Sequence, residues 1–141
     1  MKNNLPVIAI LAFLISACAT TKITKTDDLS GITWELDYIS GSRIAFEGLY
    51  PDKKPRITFD SATNQVSGTA SCNGYSAKYT LNGNLISFGE PGITTMMFCE
   101  GGGENAFLQT IKKVNNYAID KENKLNLMVD GVAMMRFKKI K

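Results

Sequence analysis

The sequence predicts a mainly β domain of the α+β class. We expect a strongly curved antiparallel sheet or a partly open β-barrel with one helix packed on it. Short segments alternate apolar and polar residues, as half-buried strands do. Two hairpin-type turn signals, Asn82-Gly83-Asn84 and Asp130-Gly131, separate such segments. Only 104–114 shows helical spacing, and one helix suits the covering of an open side or end of a sheet.

The first strands are predicted between Thr33 and Asp60. The segment Thr33–Ile39 alternates so that Trp34, Leu36 and Tyr38 share one face. After a turn at 40–42, the segment 43–46 is expected to pair back as a hairpin strand. Glycine and proline in 47–55 indicate a loop, and 56–60 alternates again.

The later elements follow the same pattern. Strands are predicted at 65–70, 75–81 and 85–88, with a bend at 71–74 where Gly74 is free to adopt a positive φ. A mixed segment, 93–99, precedes three glycines at 101–103, which are the loosest stretch on composition. In the helix, Phe107, Leu108, Ile111 and Val114 form one apolar face. Strands at 117–119, 125–129 and 132–137 close the domain.

The amino terminus carries the pattern of a secretory signal. Lys2 precedes an apolar run from Leu5 to Leu14, and small residues, Ser16 and Ala17, follow it. The run covers about ten residues, whereas a transmembrane helix needs about 20. The open alternatives are an ordinary signal peptide and an uncleaved anchor.

The segment 14–18 resembles a bacterial lipobox, because Cys18 directly follows Ser16-Ala17. This resemblance implies diacylation of the Cys18 thiol, cleavage after Ala17 and acylation of the new amino terminus. The domain is then anchored by fatty acyl chains such as palmitate. Residue 19 is alanine, which in familiar diderm bacteria favours the outer membrane, on its periplasmic or surface side.

These features divide the chain into three parts. Residues 1–17 are the expected signal peptide, 18–30 a lipidated flexible tether, and 31–141 one folded domain. The net charge of +3 is small and both signs are mixed, so nothing indicates nucleic-acid binding. A lysine cluster at 138–141 suits contact with anionic headgroups or a solvated strand end.

The chain contains no histidine, which removes whole classes of enzyme. A Ser-His-Asp triad, a Cys-His pair and imidazole-based zinc sites are excluded. The carboxylates Glu90, Glu100 and Glu104 lie in or beside glycine-rich loops or at a helix start, so we interpret them as solvated or capping groups. The expectation is a protein without enzymatic activity, metal or cofactor.

The three cysteines are interpreted on the basis of the expected export. With Cys18 acylated, Cys72 and Cys99 remain, and pairing is the default outside the cytoplasm. Their bridge encloses about 28 residues and contributes about 3–4 kcal/mol on the chain-entropy model. Two buried thiols, or a redox or metal pair, are the alternatives.

An ordered set of motifs between residues 31 and 141 resembles the META domain, also called the HslJ-like domain. The matching motifs are Trp34-x-Leu36, Pro55-x-Ile57-x-Phe59, Val66-Ser67-Gly68-x-Ala70-Ser71-Cys72-Asn73, Thr95-x-Met97-x-Cys99, Glu104-x-x-Phe107 and Leu125-x-Leu127. The resemblance implies a compact β-rich domain with one helix in an envelope lipoprotein, a link to heat or envelope stress, and a disulfide between Cys72 and Cys99. Two positions depart from the family pattern, Ser71 for a glycine and Met96 for a basic residue, and the second weakens any transfer of a binding role.

The candidate binding patch comprises Asn73, Thr94, Thr95, Met96 and Met97. Its polar members either bind a ligand or satisfy backbone groups at bends around a buried cross-link. Since strands alternate, one of Met96 and Met97, and one of Met134 and Met135, is expected to face outward. An exposed apolar patch often marks a partner or lipid site.

The sequence thus predicts a non-enzymatic lipoprotein of the cell envelope. It is expected to bind an unidentified envelope protein or ligand and to hold the membrane through the lipid on Cys18. The alternative is a carrier with a lipid or small apolar ligand between sheet and helix. An enclosed apolar cavity favours the carrier, and a filled interior opposes it.

Overall fold

The computed structural model describes residues 29–93 and 95–140. The predicted signal peptide, Cys18 and the tether up to residue 28 lie outside these residues, as does Thr94. The strands are β1 Thr33–Ile39, β2 Arg56–Asp60, β3 Gln65–Thr69, β4 Gly74–Asn82, β5 Leu85–Phe88, β6 Gly92–Ile93, β7 Asn116–Ile119, β8 Leu125–Val129 and β9 Val132–Ile140. The helices are α1 Phe46–Leu49 and α2 Gly103–Ile111, and a 3-10 turn, Glu100–Gly102, precedes α2.

Eight of these strands form a closed antiparallel barrel. Each strand from β1 to β5 pairs with the next, β5 pairs with β7, and β7, β8 and β9 continue until β9 pairs with β1. The β5–β7 seam is the shortest, with one register pair, Leu85–Asn116. The short strand β6 lies outside the ring and pairs with Tyr75 and Ser76 of β4. The predicted curved sheet is confirmed, and it closes fully.

The two ends of the barrel differ. We call one end the α2 end, because both helices pack there. Strands β1, β3 and β8 end at the α2 end, and strands β2, β4 and β9 begin there. At the other, the hairpin end, lie the turns at 61–64, 83–84 and 120–124. The α2 end carries the long connections and the hairpin end only tight turns, so candidate sites concentrate at the α2 end.

The barrel interior is filled by side chains from alternate strand positions. Phe59 packs edge-on against Tyr79 with ring centroids 5.1 Å apart and lies 6.2 Å from Phe88. Tyr75 packs edge-on against Phe107 of α2 at 5.4 Å, which closes the α2 end. The largest fully buried side chains are Trp34, Tyr75, Tyr117, Phe59, Phe107, Phe137, Leu29, Leu36, Ile57, Ile86, Ile111 and Leu125.

A β-bulge in β1 corrects one predicted face. Leu36 pairs with Phe137 and Tyr38 pairs with Arg136, so Asp37 is an extra residue opposite β9. The bulge shifts the alternation, and Tyr38 points outward with 42% exposure. The expectation that Tyr38 shares the core face of Trp34 and Leu36 is therefore wrong.

The segment 43–46 does not form the expected hairpin strand. Pairing with β9 ends at the bond from Ser40 N to Met134 O, and Gly41 then turns the chain away with φ +87°. The helix α1 follows, and it buries Leu49 at its end and Tyr50 just beyond it. These two residues hold the connection against the start of α2.

The barrel includes two residues that precede the expected boundary at Gly31. Leu29 is completely buried, and its carbonyl accepts a hydrogen bond from Trp34 Nε1 at 3.3 Å. Ser30 bridges to Phe59, near the end of β2. Leu29 and Ser30, expected in the tether, belong to the barrel.

The single predicted long helix is confirmed as α2. It starts at Gly103, one residue before the predicted start, and buries Phe107 and Ile111. Val114 is also buried, although it follows the end of the helix. Among the described residues, no helix has the length and apolar character needed to cross a membrane.

Candidate functional site

The candidate site lies at the α2 end, where two connections are joined by a disulfide. The bend between β3 and β4 contributes Cys72, and the segment after β6 contributes Cys99. The two residues form the predicted bridge, with Cα atoms 5.6 Å apart. We call the segment Thr95 to Cys99 the 95–99 loop. Its covalent link to the β3–β4 bend holds it against the barrel.

Asn73 connects the bend to the 95–99 loop by its side chain. Its Oδ1 accepts hydrogen bonds from Thr95 Oγ1 at 2.7 Å and from Met97 N at 2.8 Å. Its Nδ2 donates to Met97 O at 2.8 Å and to Glu104 Oε1 at 3.1 Å. Asn73 is almost fully buried, so its amide is committed to these contacts and not offered to a ligand.

Thr95 completes this connection. Its hydroxyl, which donates to Asn73, accepts a hydrogen bond from Gly74 N at 3.1 Å. The loop is thus held at the first residue of β4 as well as at the bend. The structure brings Asn73 and Thr95 together. Of the two roles considered for them, they fill the structural one, because they form hydrogen bonds with the backbone groups of Met97 and Gly74. Thr94, the remaining polar candidate, lies outside the described residues.

Glu104, in the first turn of α2, contacts both Asn73 and the disulfide. Its Oε2 lies 3.1 Å from Cys99 Sγ. Because a disulfide sulfur carries no hydrogen, this contact places a carboxylate against the sulfur without a hydrogen bond between them. This role of Glu104 is not predictable from the sequence, since residue spacing alone does not show that α2 starts beside the bridge.

Cys72, Cys99 and Glu104 place their ligand atoms within 4.8 Å of one another. A metal ion requires thiolate ligands, and both sulfurs are bonded to each other here. The group therefore has one available ligand, the Glu104 carboxylate. In this oxidised form its chemistry is that of a structural cross-link.

The 95–99 loop presents three consecutive apolar side chains to solvent. Met96, Met97 and Phe98 are 97%, 56% and 90% exposed. Alternation along a strand predicted only one exposed methionine of the first two, but the loop has no strand partner and all three side chains project outward. Of the second methionine pair, Met135 is buried and Met134 is half-buried.

Gly101 and Gly103 are tightly packed, although composition indicated a loose stretch at 101–103, and Gly102 between them has open space around it. A Cβ on Gly101 would meet Gly48 O, and a Cβ on Gly103 would meet Leu49 O and the Tyr50 ring. The Tyr50 hydroxyl donates to Gly103 O at 2.9 Å, and burial raises the pKa of Tyr50. These contacts fix α1 beneath the start of α2 and give the 95–99 loop a firm base.

A surface groove of about 490 Å³ lies between the connection after β1 and α2. Its wall includes Ile44, Gly101, Asn105, Gln109 and Met134. The barrel interior, in contrast, is packed with its own aromatic side chains. A filled interior opposes the hypothesis of a carrier that holds a lipid or small apolar ligand between sheet and helix.

The three glutamates interpreted from the sequence as solvated or capping groups have separate positions. Glu90 pairs with Lys112 at 2.6 Å on the surface, and Glu100 is exposed in the 3-10 turn. Glu104 contacts Asn73 and Cys99. Glu90 and Glu104 therefore have different partners, and each carboxylate makes contacts that support the fold.

The fold and this site define a class of protein: a small, closed and filled antiparallel β-barrel, capped by one helix and carrying a disulfide-linked apolar loop. The META domain model matches residues 27–141. The chain belongs to the META domain family, as the sequence motifs predicted.

Solved structures confirm the fold. An NMR structure of a protein from Burkholderia xenovorans matches with a TM-score of 0.62 and 20% identity, covering 100% of this chain and 99% of that chain. A second NMR structure matches with a TM-score of 0.59 and 17% identity, covering 82% of this chain and 94% of the other. A comparison with curated protein sequences finds no match.

Proposed function

We propose that this protein is a lipid-anchored, non-enzymatic binding protein of the cell envelope. Its barrel is a rigid support that presents the 95–99 loop to an envelope component. The observation that carries the proposal is the exposure of Met96, Met97 and Phe98 on a loop whose backbone is held by Asn73 and whose end is held by a disulfide. Contiguous exposed apolar side chains are typical of interaction sites.

The loop is ordered before it binds, which favours a binding role. A mobile apolar loop would lose conformational freedom on binding, and that loss opposes association. Here the Asn73 hydrogen bonds and the bridge have already restricted the backbone. The exposed side chains can therefore contribute their burial to affinity with a smaller entropic cost.

The envelope location rests on the sequence before the barrel. The lipobox at 14–18 ends in Cys18, and residues 19–28 connect it to Leu29, the first residue of the folded domain. The disulfide is consistent with an oxidising compartment outside the cytoplasm. In this proposal, acylated Cys18 anchors the chain in the outer membrane.

Cross-linking in cells tests the binding role. A photoreactive amino acid at Phe98 is expected to capture a defined product in intact cells. The same amino acid at Leu85, which is 54% exposed at the hairpin end, is the matched control. Equal products from both positions, or no product from Phe98, would contradict a binding role for the loop.

Mass spectrometry of the native protein tests the anchor. The expected amino-terminal peptide starts at Cys18 with acyl groups on its sulfur and its amino group. Globomycin, which blocks the lipoprotein signal peptidase, is expected to leave the precursor with residues 1–17 attached. An unmodified Cys18 in protein from the envelope would overturn the anchor.

The stress role implied by the family is part of the same proposal. A strain without this protein is expected to survive heat or envelope stress less well than the parent. Complementation with the parent chain should restore survival, and the variant Phe98→Asp should not. Equal survival of all strains would contradict the stress role and would leave the binding role of the loop standing.

A further inference from the structure

We infer that the 95–99 loop inserts into the interface of the lipid bilayer and orients the barrel with its α2 end toward the membrane. This inference rests on the proposed function and identifies the envelope component as the bilayer itself. The exposed loop, the hydrogen bonds that pair the Met97 backbone with Asn73 and the position of the tether carry it.

The exposed apolar side chains of the domain cluster at the α2 end. Of seven such large side chains among the described residues, five lie there: Ile44, Met96, Met97, Phe98 and Val132. Ile44 and Gly101 both line the surface groove between the connection after β1 and α2. Val132 lies beside that groove, because it pairs with Val129 in the groove wall. This end therefore carries most of the large exposed apolar side chains of the described residues.

The shape of the loop suits a bilayer better than a protein surface. Met96 and Phe98 are almost completely exposed, so they project from the barrel and line no cavity of their own. A protein partner would need a pocket shaped to receive them. A fluid bilayer accepts projecting side chains of any shape, and insertion is driven by the apolar area that leaves water.

The hydrogen bonds of Met97 lower the free-energy cost of moving the centre of the loop into an apolar environment. A backbone group that enters a bilayer without a partner costs several kcal/mol, on the order of its lost hydrogen bonds to water. Met97, at the centre of the loop, has both its N–H and its C=O paired with the Asn73 side chain. Insertion therefore does not remove water from these two groups.

The tether is long enough for the loop and the anchor to reach one bilayer. Residues 19–28 span up to about 35 Å when extended. The tether enters the barrel where Ser30 bridges to Phe59 of β2. Phe59 pairs with Val66 of β3, and Val66 pairs with Ala77 of β4, so Phe59 and Ala77 lie at the same position along the strand ladder. Ala77 is three residues from Gly74, where the loop is attached, so the two points differ by only about 10 Å along β4.

A tethered loop needs only weak intrinsic affinity. The anchor keeps the loop at an effective concentration on the order of mM near the membrane. Phe98 and two methionines bury enough apolar surface for a weak, reversible insertion. The loop thus sets the orientation of the domain, while the acyl chains supply the attachment.

Tryptophan fluorescence tests the insertion directly. Trp34 is the single tryptophan of the chain and is completely buried, so its emission is a constant background. The chain from residue 18, carrying Cys18→Ser and therefore unacylated, is mixed with vesicles of phosphatidylethanolamine and phosphatidylglycerol. The variant Phe98→Trp is expected to show a blue shift and quenching by brominated acyl chains. The control Leu85→Trp, at the hairpin end, is expected to show neither.

Vesicle sedimentation gives the second measurement. Phe98→Asp is expected to lower the partition coefficient about tenfold, since an apolar side chain of this size contributes at least about that factor when buried. Vesicles of phosphatidylcholine alone should bind nearly as well, because insertion depends on apolar contacts. Binding only to anionic vesicles, unchanged in Phe98→Asp, would assign the contact to lysines such as Lys138 and overturn the inference.

The results separate this inference from the proposed function. The vesicle experiments use an unacylated chain, so they do not depend on the anchor at Cys18. No vesicle binding together with a protein captured from Phe98 in cells would overturn bilayer insertion and leave the binding role standing. Vesicle binding together with an unmodified Cys18 would support insertion and overturn the lipid anchor.

Discussion

The side chain of Asn73 pairs with both backbone polar groups of Met97. Oδ1 accepts the Met97 N–H at 2.8 Å, and Nδ2 donates to the Met97 carbonyl at 2.8 Å. This is the pattern with which one strand pairs with another, supplied by a single buried amide. The backbone at the centre of the 95–99 loop is thus held by one side chain, whereas the backbone of the barrel is held by the hydrogen bonds between strands.

Replacing Asn73 is therefore expected to cost more than most polar substitutions. Asn73→Ala removes hydrogen bonds to Thr95, Met97 and Glu104 and leaves the Met97 backbone groups unpaired. We expect a loss of about 2–4 kcal/mol in the free energy of unfolding. Urea denaturation measures it, with the exposed Asn105→Ala on α2 as control. Equal stability of the two variants would show that the amide does not hold the loop.

The strands could be predicted from sequence because half-buried strands alternate with a period of two. Alternation does not show where a bulge lies, and the extra Asp37 reverses the face of Tyr38. It also does not show that β9 returns to pair with β1, which closes the barrel. Closure depends on contacts between the first and last strands, and no local pattern encodes them.

The site was predictable in its covalent part and less so in its surface. With Cys18 expected to be acylated in an exported chain, a disulfide between Cys72 and Cys99 was the default prediction, and the bridge is present. The exposure of Phe98 was missed because the segment was interpreted with strand alternation. The packing of Gly101 and Gly103 was missed because close approach to α1 is a tertiary contact.

Glu104 is expected to protect the disulfide against reduction. Its carboxylate, 3.1 Å from Cys99 Sγ, repels a thiolate that attacks Cys99. If the attack falls on Cys72, the leaving Cys99 thiolate forms beside the same negative charge, which disfavours it. Glu104→Gln removes the charge and keeps an acceptor for Asn73. We expect dithiothreitol to reduce this variant about three to ten times faster.

The control for this prediction is Glu100→Gln, one residue beyond Cys99 and exposed. Its reduction rate is expected to stay close to that of the parent chain. Higher ionic strength should accelerate reduction of the parent and leave Glu104→Gln nearly unchanged, because salt screens the repulsion. Thiol trapping with mass spectrometry gives the rates. Slower reduction of Glu104→Gln would contradict the protective role.

Gly103 is expected to tolerate no side chain. Its Cβ would lie 2.4 Å from Leu49 O and 2.3 Å from the Tyr50 ring, so α1 must move. Such overpacking costs about 1–3 kcal/mol. Gly102→Ala is the matched control, since it has φ +73° and open space around it and costs about 1–2 kcal/mol of backbone strain alone. The same Tyr50 ring environment in Gly103→Ala, measured by near-UV circular dichroism, would contradict this packing argument.

Glu35 is the most buried charged side chain among the ion pairs of the described residues. It lies between Arg56 of β2 and Lys138 of β9, with Oε2 2.7 Å from Arg56 Nη2 and Oε1 3.2 Å from Lys138 Nζ. Burial by itself raises the pKa of Glu35. The hydrogen bonds and charges of Arg56 and Lys138 outweigh this effect and hold the pKa below its ordinary value.

The stability supplied by Glu35 is expected to disappear in acid. Because its pKa is lower in the folded chain, the stabilisation is complete above the unfolded pKa of about 4.3 and is lost as the pH falls through the folded value. At pH 7 we expect Glu35→Gln to lose about 1–2 kcal/mol, with the difference narrowing below about pH 4. Glu90→Gln, from an exposed pair with Lys112, should change stability by less than about 0.5 kcal/mol. Urea denaturation across this pH range measures both, and curves that stay parallel for Glu35→Gln and the parent would contradict the linkage.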